Sequence, residues 1–251
     1  MTAALKVLLF DVDHTLLAAG GAGFRAMDRA FRELYGVESA TRGIVPDGKT
    51  DPMLFSEALV RCRLAPAGAP PPPELVARYE SLFPKEMAAP PATLMPGVCE
   101  LLDALSEVPQ VMLGLLTGNL ERTAKIKVAA FGLDRHFAFG AYGSDRADRL
   151  ELPPIAVERA ECLTGRRIGL GRHVVIVGDT PRDVDCALAW GATAIGVATG
   201  RSSRSQLLDA GADLVFGDLS DTAAVVYALA QASGVGFAPP REGFDPPACP
   251  T

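Results

Sequence analysis

Leu5-Lys6-Val7-Leu8-Leu9-Phe10-Asp11-Val12-Asp13-His14-Thr15 begins as a short apolar run and stops on an acid. A run of this length predicts a strand buried on both faces. Similar runs recur at 111–116, 173–177 and 193–198, with a weaker one near 138–141 and a last edge strand at 213–216. Segments of helical periodicity lie between them. In 97–106, Val98, Leu101, Leu102 and Leu105 share a face, and others fall near 120–131, 153–164, 181–190 and 220–231. Strands apolar on both faces that alternate with helices specify a parallel sheet covered on both sides.

The stretch from about 20 to 95 breaks that rhythm. Its apolar residues have helical spacing, at Phe24, Met27, Phe31, Leu34 and Tyr35 and again around Leu54, Phe55, Leu59 and Cys62. It contains no strand-like run, so it reads as a helical insertion after the first strand. Its middle, Pro66 to Pro73, is expected to be a loop or extended segment. Gly20-Gly21-Ala22-Gly23 is expected to be the hinge between core and insertion. The division is thus a core of 1–18 and 96–235, an insertion of 19–95, and a Pro- and Gly-rich tail of 236–251 expected to be poorly ordered.

Composition narrows the function class. The 251 residues suffice for one α/β domain and an insertion, and 49% hydrophobic residues can build its core. The formal charge is -6, and no Lys/Arg run makes a basic stripe, which argues against nucleic acid as the main partner. An acidic total does not exclude an anionic substrate, because the field at one site can differ in sign from the net charge. No apolar stretch reaches membrane-spanning length, and the start lacks the features of a signal peptide. The five cysteines are scattered, with no Cys-x-x-Cys pair, and read as reduced thiols. A cytoplasmic protein, monomer or homodimer, is the expectation.

Ligands in open α/β sheets bind beyond the carboxyl ends of the strands. Here those ends carry Asp11-Val12-Asp13-His14-Thr15, Thr117-Gly118-Asn119 and Gly178-Asp179-Thr180-Pro181-Arg182-Asp183. A parallel sheet puts all three on one edge, so Asp11, Asp13, Asp179 and Asp183 should converge. Any one of these acids alone is as easily a helix cap. Together, converging carboxylates repel and their ionised forms need compensation. Mg²⁺ suits a site of a few carboxylates, waters and phosphate oxygens.

The three segments, in this order, resemble motifs one, two and four of the haloacid dehalogenase (HAD) superfamily: Asp11-x-Asp13-x-Thr15, Thr117-Gly118-Asn119 and Gly178-Asp179-Thr180-x-x-Asp183. The branch resembled is that of phosphoglycolate-phosphatase-like and β-phosphoglucomutase-like members with a helical cap. The resemblance implies a Rossmann-like α/β core with helices on both faces, plus a small all-helical cap domain. It implies an Mg²⁺-dependent phosphatase acting on a small phosphorylated metabolite, phosphoglycolate being one guess. Asp11 would attack phosphorus and become an aspartyl-phosphate. Asp13 would protonate the leaving oxygen, then activate water. Asp11, the Asp13 carbonyl and Asp179 would hold the metal, with Asp183 a ligand through water or an orienting neighbour. Thr117, Gly118 and Asn119 would bind the phosphoryl oxygens, a use compatible with helix capping.

The sequence departs from the family pattern twice. The motif-three Lys-Pro is absent, and the cations available are Arg146 and Arg149. Arg149 is the favoured one, being nearer to Pro153, where the next helix should start. His14 stands where Gly is usual, and reads as a turn residue tolerant of positive φ. Lys49, beside a helix start at Thr50 or Asp51 before Pro52, reads equally as a substrate contact and as a solvated loop residue. Two competing activities share the fold, a phosphomutase and a 2-haloacid dehalogenase. The dehalogenases need neither Asp13 nor a metal.

Overall fold

A computed structural model describes residues 5–89 and 92–232. The tail expected at 236–251 lies outside the described residues. In chain order the elements are β1 (Lys6–Phe10), β2 (Leu17–Ala18), α1 (Ala22–Tyr35), α2 (Asp51–Arg61), α3 (Pro73–Met87), β3 (Thr93–Leu94), α4 (Val98–Ser106), β4 (Val111–Thr117), α5 (Glu121–Ala129), β5 (Phe139–Tyr142), α6 (Leu152–Thr164), β6 (Val174–Gly178), α7 (Pro181–Ala189), β7 (Thr193–Val197), α8 (Arg204–Asp209), β8 (Leu214–Phe216) and α9 (Thr222–Ala232).

Six strands form one sheet in the order β5-β4-β1-β6-β7-β8, and every neighbouring pair is parallel. Each strand read from the apolar runs is present. Alternation along β1 splits the core. Leu8 and Phe10 join one apolar cluster, with Leu101, Leu102 and Leu105 of α4, Val128 of α5 and Leu229 of α9. Val7 and Leu9 join the other, with Ala156 and Val157 of α6, Val184 of α7 and Leu207 of α8. Burying each large apolar side chain stabilises by about 1.5–3 kcal/mol, so both faces hold the sheet.

The register aligns the strand ends. Phe10 pairs with Leu115 on one side and with Val177 on the other. Asp11, Thr117 and Asp179 therefore leave the sheet at one edge. The chain runs outward from β1 in opposite directions through β4 and β6, which leaves the crevice at the carboxyl end of β1.

Between β2 and β3 the described elements are the three helices α1, α2 and α3. They are not insulated from the core. Met27, Phe31, Phe55, Leu59, Tyr79 and Phe83 belong to the same apolar cluster as Phe10. β2 and β3 pair antiparallel, Leu17 with Leu94 and Ala18 with Thr93, and bind the two crossings of the insertion together. Pattern reading misses two-residue strands because two residues define no period. The glycine run yields to α1 at once: Gly20 and Gly21 take φ of 57° and 79°, and Ala22 is already helical. Cys62, Cys162 and Cys186 are free thiols. Cys99, on α4, is disulfide-bonded, which corrects the expectation that all five thiols are reduced. No helix among the described residues is long and apolar enough to cross a membrane.

Candidate active site

Asp11 extends the ladder of β1, its N–H donating to the Val177 carbonyl at 2.9 Å. The chain then turns sharply. His14 adopts φ of 60°, the left-handed conformation expected of it, and its N–H donates to the Leu17 carbonyl at 2.7 Å. At the end of β6, Thr180 caps α7 in a reciprocal box with Asp183, whose Oδ2 accepts from Thr180 N at 3.0 Å and Thr180 Oγ1 at 2.7 Å. Gly178 makes this possible, since a Cβ there would stand 2.2 Å from Asp183 Cγ. Gly200 gives room in the same way, as a Cβ there would lie 1.8 Å from Asp179 Oδ2.

Asp11, Asp179 and Asp183 converge as expected. They are all buried, and each offers an oxygen within 4.8 Å of the others. Burial, with the charges of Asp183 and Asp11, pushes the Asp179 carboxyl up to about 9. Burial also raises Asp11, against the opposing pull of Arg149. Carboxylates held together at this cost fit a hard divalent cation, which restores their ionised forms. Oxygen donors alone suit Mg²⁺ or Ca²⁺ rather than a thiolate- or imidazole-preferring metal.

Of the two candidate cations, Arg149 is the one that reaches the acids. It sits in a single 3₁₀ turn, Arg149–Glu151, that leads into α6, and it is 5% exposed. Its Nη2 donates to Asp11 Oδ1 at 2.8 Å, to the Leu116 carbonyl at 3.3 Å and to Asp183 Oδ1. Burial disfavours its charge, but Asp183 and Asp11 outweigh that and hold it protonated. Arg146 is not brought to the site; it is exposed and pairs with Glu151 at 3.2 Å.

Asp13 faces elsewhere. Its Oδ2 accepts from Asn119 Nδ2 at 3.0 Å and from Lys127 Nζ at 2.6 Å. Burial opposes its charge, and the Lys127 ammonium overcomes that and keeps the carboxyl below its ordinary value. Its side chain is thus outside the carboxylate cluster, which leaves only its carbonyl for the metal role that the resemblance implies. Thr117 is buried, and its Oγ1 accepts from Asn119 N at 3.3 Å. Lys127 was missed in the sequence. The signal was its place on the buried face of α5 with Thr123, Ala124 and Val128, where a charged residue needs a partner.

The insertion closes over these residues. Thr50 caps α2, and Pro52 lies in its first turn, as the sequence indicated. Asp51 N donates to the Gly118 carbonyl at 2.7 Å, Leu120 N donates to Asp51 Oδ2 at 2.9 Å, and Thr50 Oγ1 donates to the Ala147 carbonyl at 2.6 Å. A cavity of about 400 Å³ remains between insertion and strand ends. Asp11, Asp13, Thr117, Gly118, Asn119, Lys127, Arg149 and Asp179 line it from the core. Phe24, Met27, Lys49, Asp51, Leu54 and Tyr79 line it from the insertion. Lys49 reaches the cavity wall, but its Nζ pairs with Glu57 at 2.6 Å and not with the acids.

Solved structures share this fold. CbbY from Rhodobacter sphaeroides in complex with phosphate matches with a TM-score of 0.65 at 20% identity, covering 86% of this chain and 96% of that one. A predicted phosphoglycolate phosphatase from Haemophilus somnus 129PT matches at 0.63 and 19%, covering 90% and 100%. A predicted β-phosphoglucomutase from Bacteroides vulgatus matches at 0.61 and 20%, covering 91% and 90%. No curated protein matches the chain. The family description of haloacid dehalogenase-like hydrolases matches residues 8–188, most of the chain and all three strand-end motifs. The chain belongs to the haloacid dehalogenase-like hydrolase family.

Proposed function

We propose that the protein is an Mg²⁺-dependent phosphatase that hydrolyses a small phosphomonoester through a phosphorylated Asp11. The observation that carries this is the pair of acids in one cavity with different surroundings. Asp11 lies among Asp179, Asp183 and Arg149, and Asp13 lies beside Asn119 and Lys127. A dehalogenase would have no use for the second acid.

Asp11, Asp179, Asp183 and the Asp13 carbonyl would hold the metal. Bound there, Mg²⁺ supplies charge neutralisation for the phosphoryl oxygens. The chain's own groups do the rest. Arg149 keeps Asp11 ionised and oriented, and offers its guanidinium to a phosphoryl oxygen. Thr117 and the backbone N–H groups at the start of α5 receive the other oxygens. An Asp11 oxygen forms a bond to phosphorus as the ester bond breaks, and Asp13, whose proton affinity rises when the anionic phosphoryl group enters beside it, gives a proton to the departing oxygen. Water then attacks phosphorus and gives a proton to Asp13, and the bond to Asp11 breaks. Residues 19–95 act as the cap domain that shuts the cavity against bulk water.

A cavity of about 400 Å³ suits a metabolite-sized ester. Phosphoglycolate and sugar phosphates are the first to try, since the matched structures include a predicted phosphoglycolate phosphatase and CbbY with xylulose 1,5-bisphosphate. The test is phosphate release from an aryl phosphate, with Mg²⁺ and with chelator, by wild type and Asp11→Asn. Turnover that needs the metal and vanishes in the variant is expected. Equal turnover by Asp11→Asn would sink the mechanism. Conversion of a sugar phosphate without phosphate release would make the protein a mutase.

A further inference from the structure

We infer that Lys127 is a positioning residue that fixes the carboxylate of Asp13 for proton exchange. This rests on the phosphatase reading above and adds a residue to it. Lys127 Nζ donates to Asp13 Oδ2 at 2.6 Å and to Asn119 Oδ1 at 2.9 Å, and Asn119 Nδ2 donates to the same Asp13 oxygen at 3.0 Å. The three side chains therefore form a closed triangle. Both donors fall on Oδ2, which restrains the carboxylate and leaves Oδ1 out of the triangle.

Exposure separates the two charges. The Lys127 side chain is 5% exposed and that of Asp13 is 34% exposed. Both residues line the cavity, and the carboxylate is the more open of the two. Phe83, on α3 of the insertion, places its ring 5.8 Å from Lys127 Nζ. Lys127 is thus held from two sides, by the strand-end loops and by the insertion. A buried ammonium is tolerated only where good partners offset its desolvation. Here those partners are the proposed acid–base group and the amide beside it. A carboxylate free to wander by an ångström would lose alignment with the ester oxygen and with water, and alignment is a large part of rate.

The experiment is steady-state phosphate release from an aryl phosphate with Mg²⁺, by Lys127→Met and Lys127→Gln, each in the wild-type and Asp13→Asn backgrounds. Lys127→Met is expected to lower kcat by about 30- to 100-fold with KM within about threefold, a loss at or below the range for a missing acid–base catalyst. In the Asp13→Asn background the same change should cost under about threefold, since coupled residues are not additive. Lys127→Gln keeps a donor and should recover part of the rate; it also carries the comparison if the Met variant does not fold. Equal losses in both backgrounds, or misfolding of both variants, would make the role structural and overturn the inference. A raised KM with unchanged kcat would make Lys127 a substrate contact instead, which also overturns it. Wild type that releases no phosphate with Mg²⁺ would overturn the phosphatase reading itself, and the Lys127 inference with it.

Discussion

Gly118→Ala isolates what closure of the insertion is worth. Gly118 is not in a left-handed conformation, so Ala brings no backbone strain and the effect is steric. A Cβ there would stand 2.4 Å from the Lys49 carbonyl oxygen, 2.9 Å from Thr50 Cα and 3.0 Å from Lys49 C, all backbone atoms that no rotamer change can move. Ordinary contact begins near 3.4 Å. The Lys49–Thr50 segment must therefore retreat by about 1 Å, the difference between 3.4 and 2.4 Å. Such a shift breaks the bonds from Asp51 N to Gly118 O, from Leu120 N to Asp51 Oδ2 and from Thr50 Oγ1 to Ala147 O, now 2.7, 2.9 and 2.6 Å. Each contributes about 1 kcal/mol net, so the loss is about 3 kcal/mol. At about 2–4 °C per kcal/mol for a chain of this size, Tm should fall by about 6–12 °C. An ångström of misplacement over the site should cut kcat/KM by about 10²-fold. Thermal unfolding and aryl phosphate hydrolysis measure the two. Gly217→Ala, with no atom within 4 Å of the new Cβ, is the control. A Tm within about 2 °C of wild type together with kcat/KM within about threefold would refute the reasoning.

Removing Arg149 leaves Asp11 and Asp183 buried without their cation, so Arg149→Met should destabilise by about 3–5 kcal/mol in chelator. Arg146→Met, at an exposed pair with Glu151, should stay within about 0.5 kcal/mol; urea denaturation showing equal losses would contradict the assignment. Asp51 is pushed up to about 6 by burial, against Lys127 and the Leu120 N–H and with Asp13 adding. A raised folded pKa means the folded state holds this proton more tightly, so the contribution is full below about pH 4 and lost as pH rises through about 6, amounting to about 3 kcal/mol. Asp51→Asn keeps an acceptor for Leu120 N and should lack that part of the decline between pH 4 and 7; parallel pH profiles for wild type and variant would count against it.

The sheet was legible because burial on both faces writes a strand as an unbroken apolar run. Lys6–Phe10, Val111–Thr117, Val174–Gly178 and Thr193–Val197 all carry that mark, and the acid that ends the first run stands where the strand gives way to the cavity. Parallel pairing then forces the carboxyl ends to one edge, so the convergence of Asp11, Asp179 and Asp183 followed from order along the chain. Arg149 could be chosen over Arg146 because the start of the next helix is written in Pro153.

What pattern could not supply was contact between parts distant in sequence. Asp13 and Lys127 are 114 positions apart, and Thr50 and Ala147 are 97. Nothing local marks such pairs, because a hydrogen bond across the fold leaves no periodicity. Lys49 shows the same limit: Glu57, eight positions on, pairs with its ammonium once α2 forms, while the residue still lines the cavity. The sequence by itself determined the strands and the edge on which their acids meet. Only the tertiary structure decided which cation each acid faces, because packing the end of β1 against α5 and against the turn before α6 brings Asp13 to Lys127 and Asp11 to Arg149.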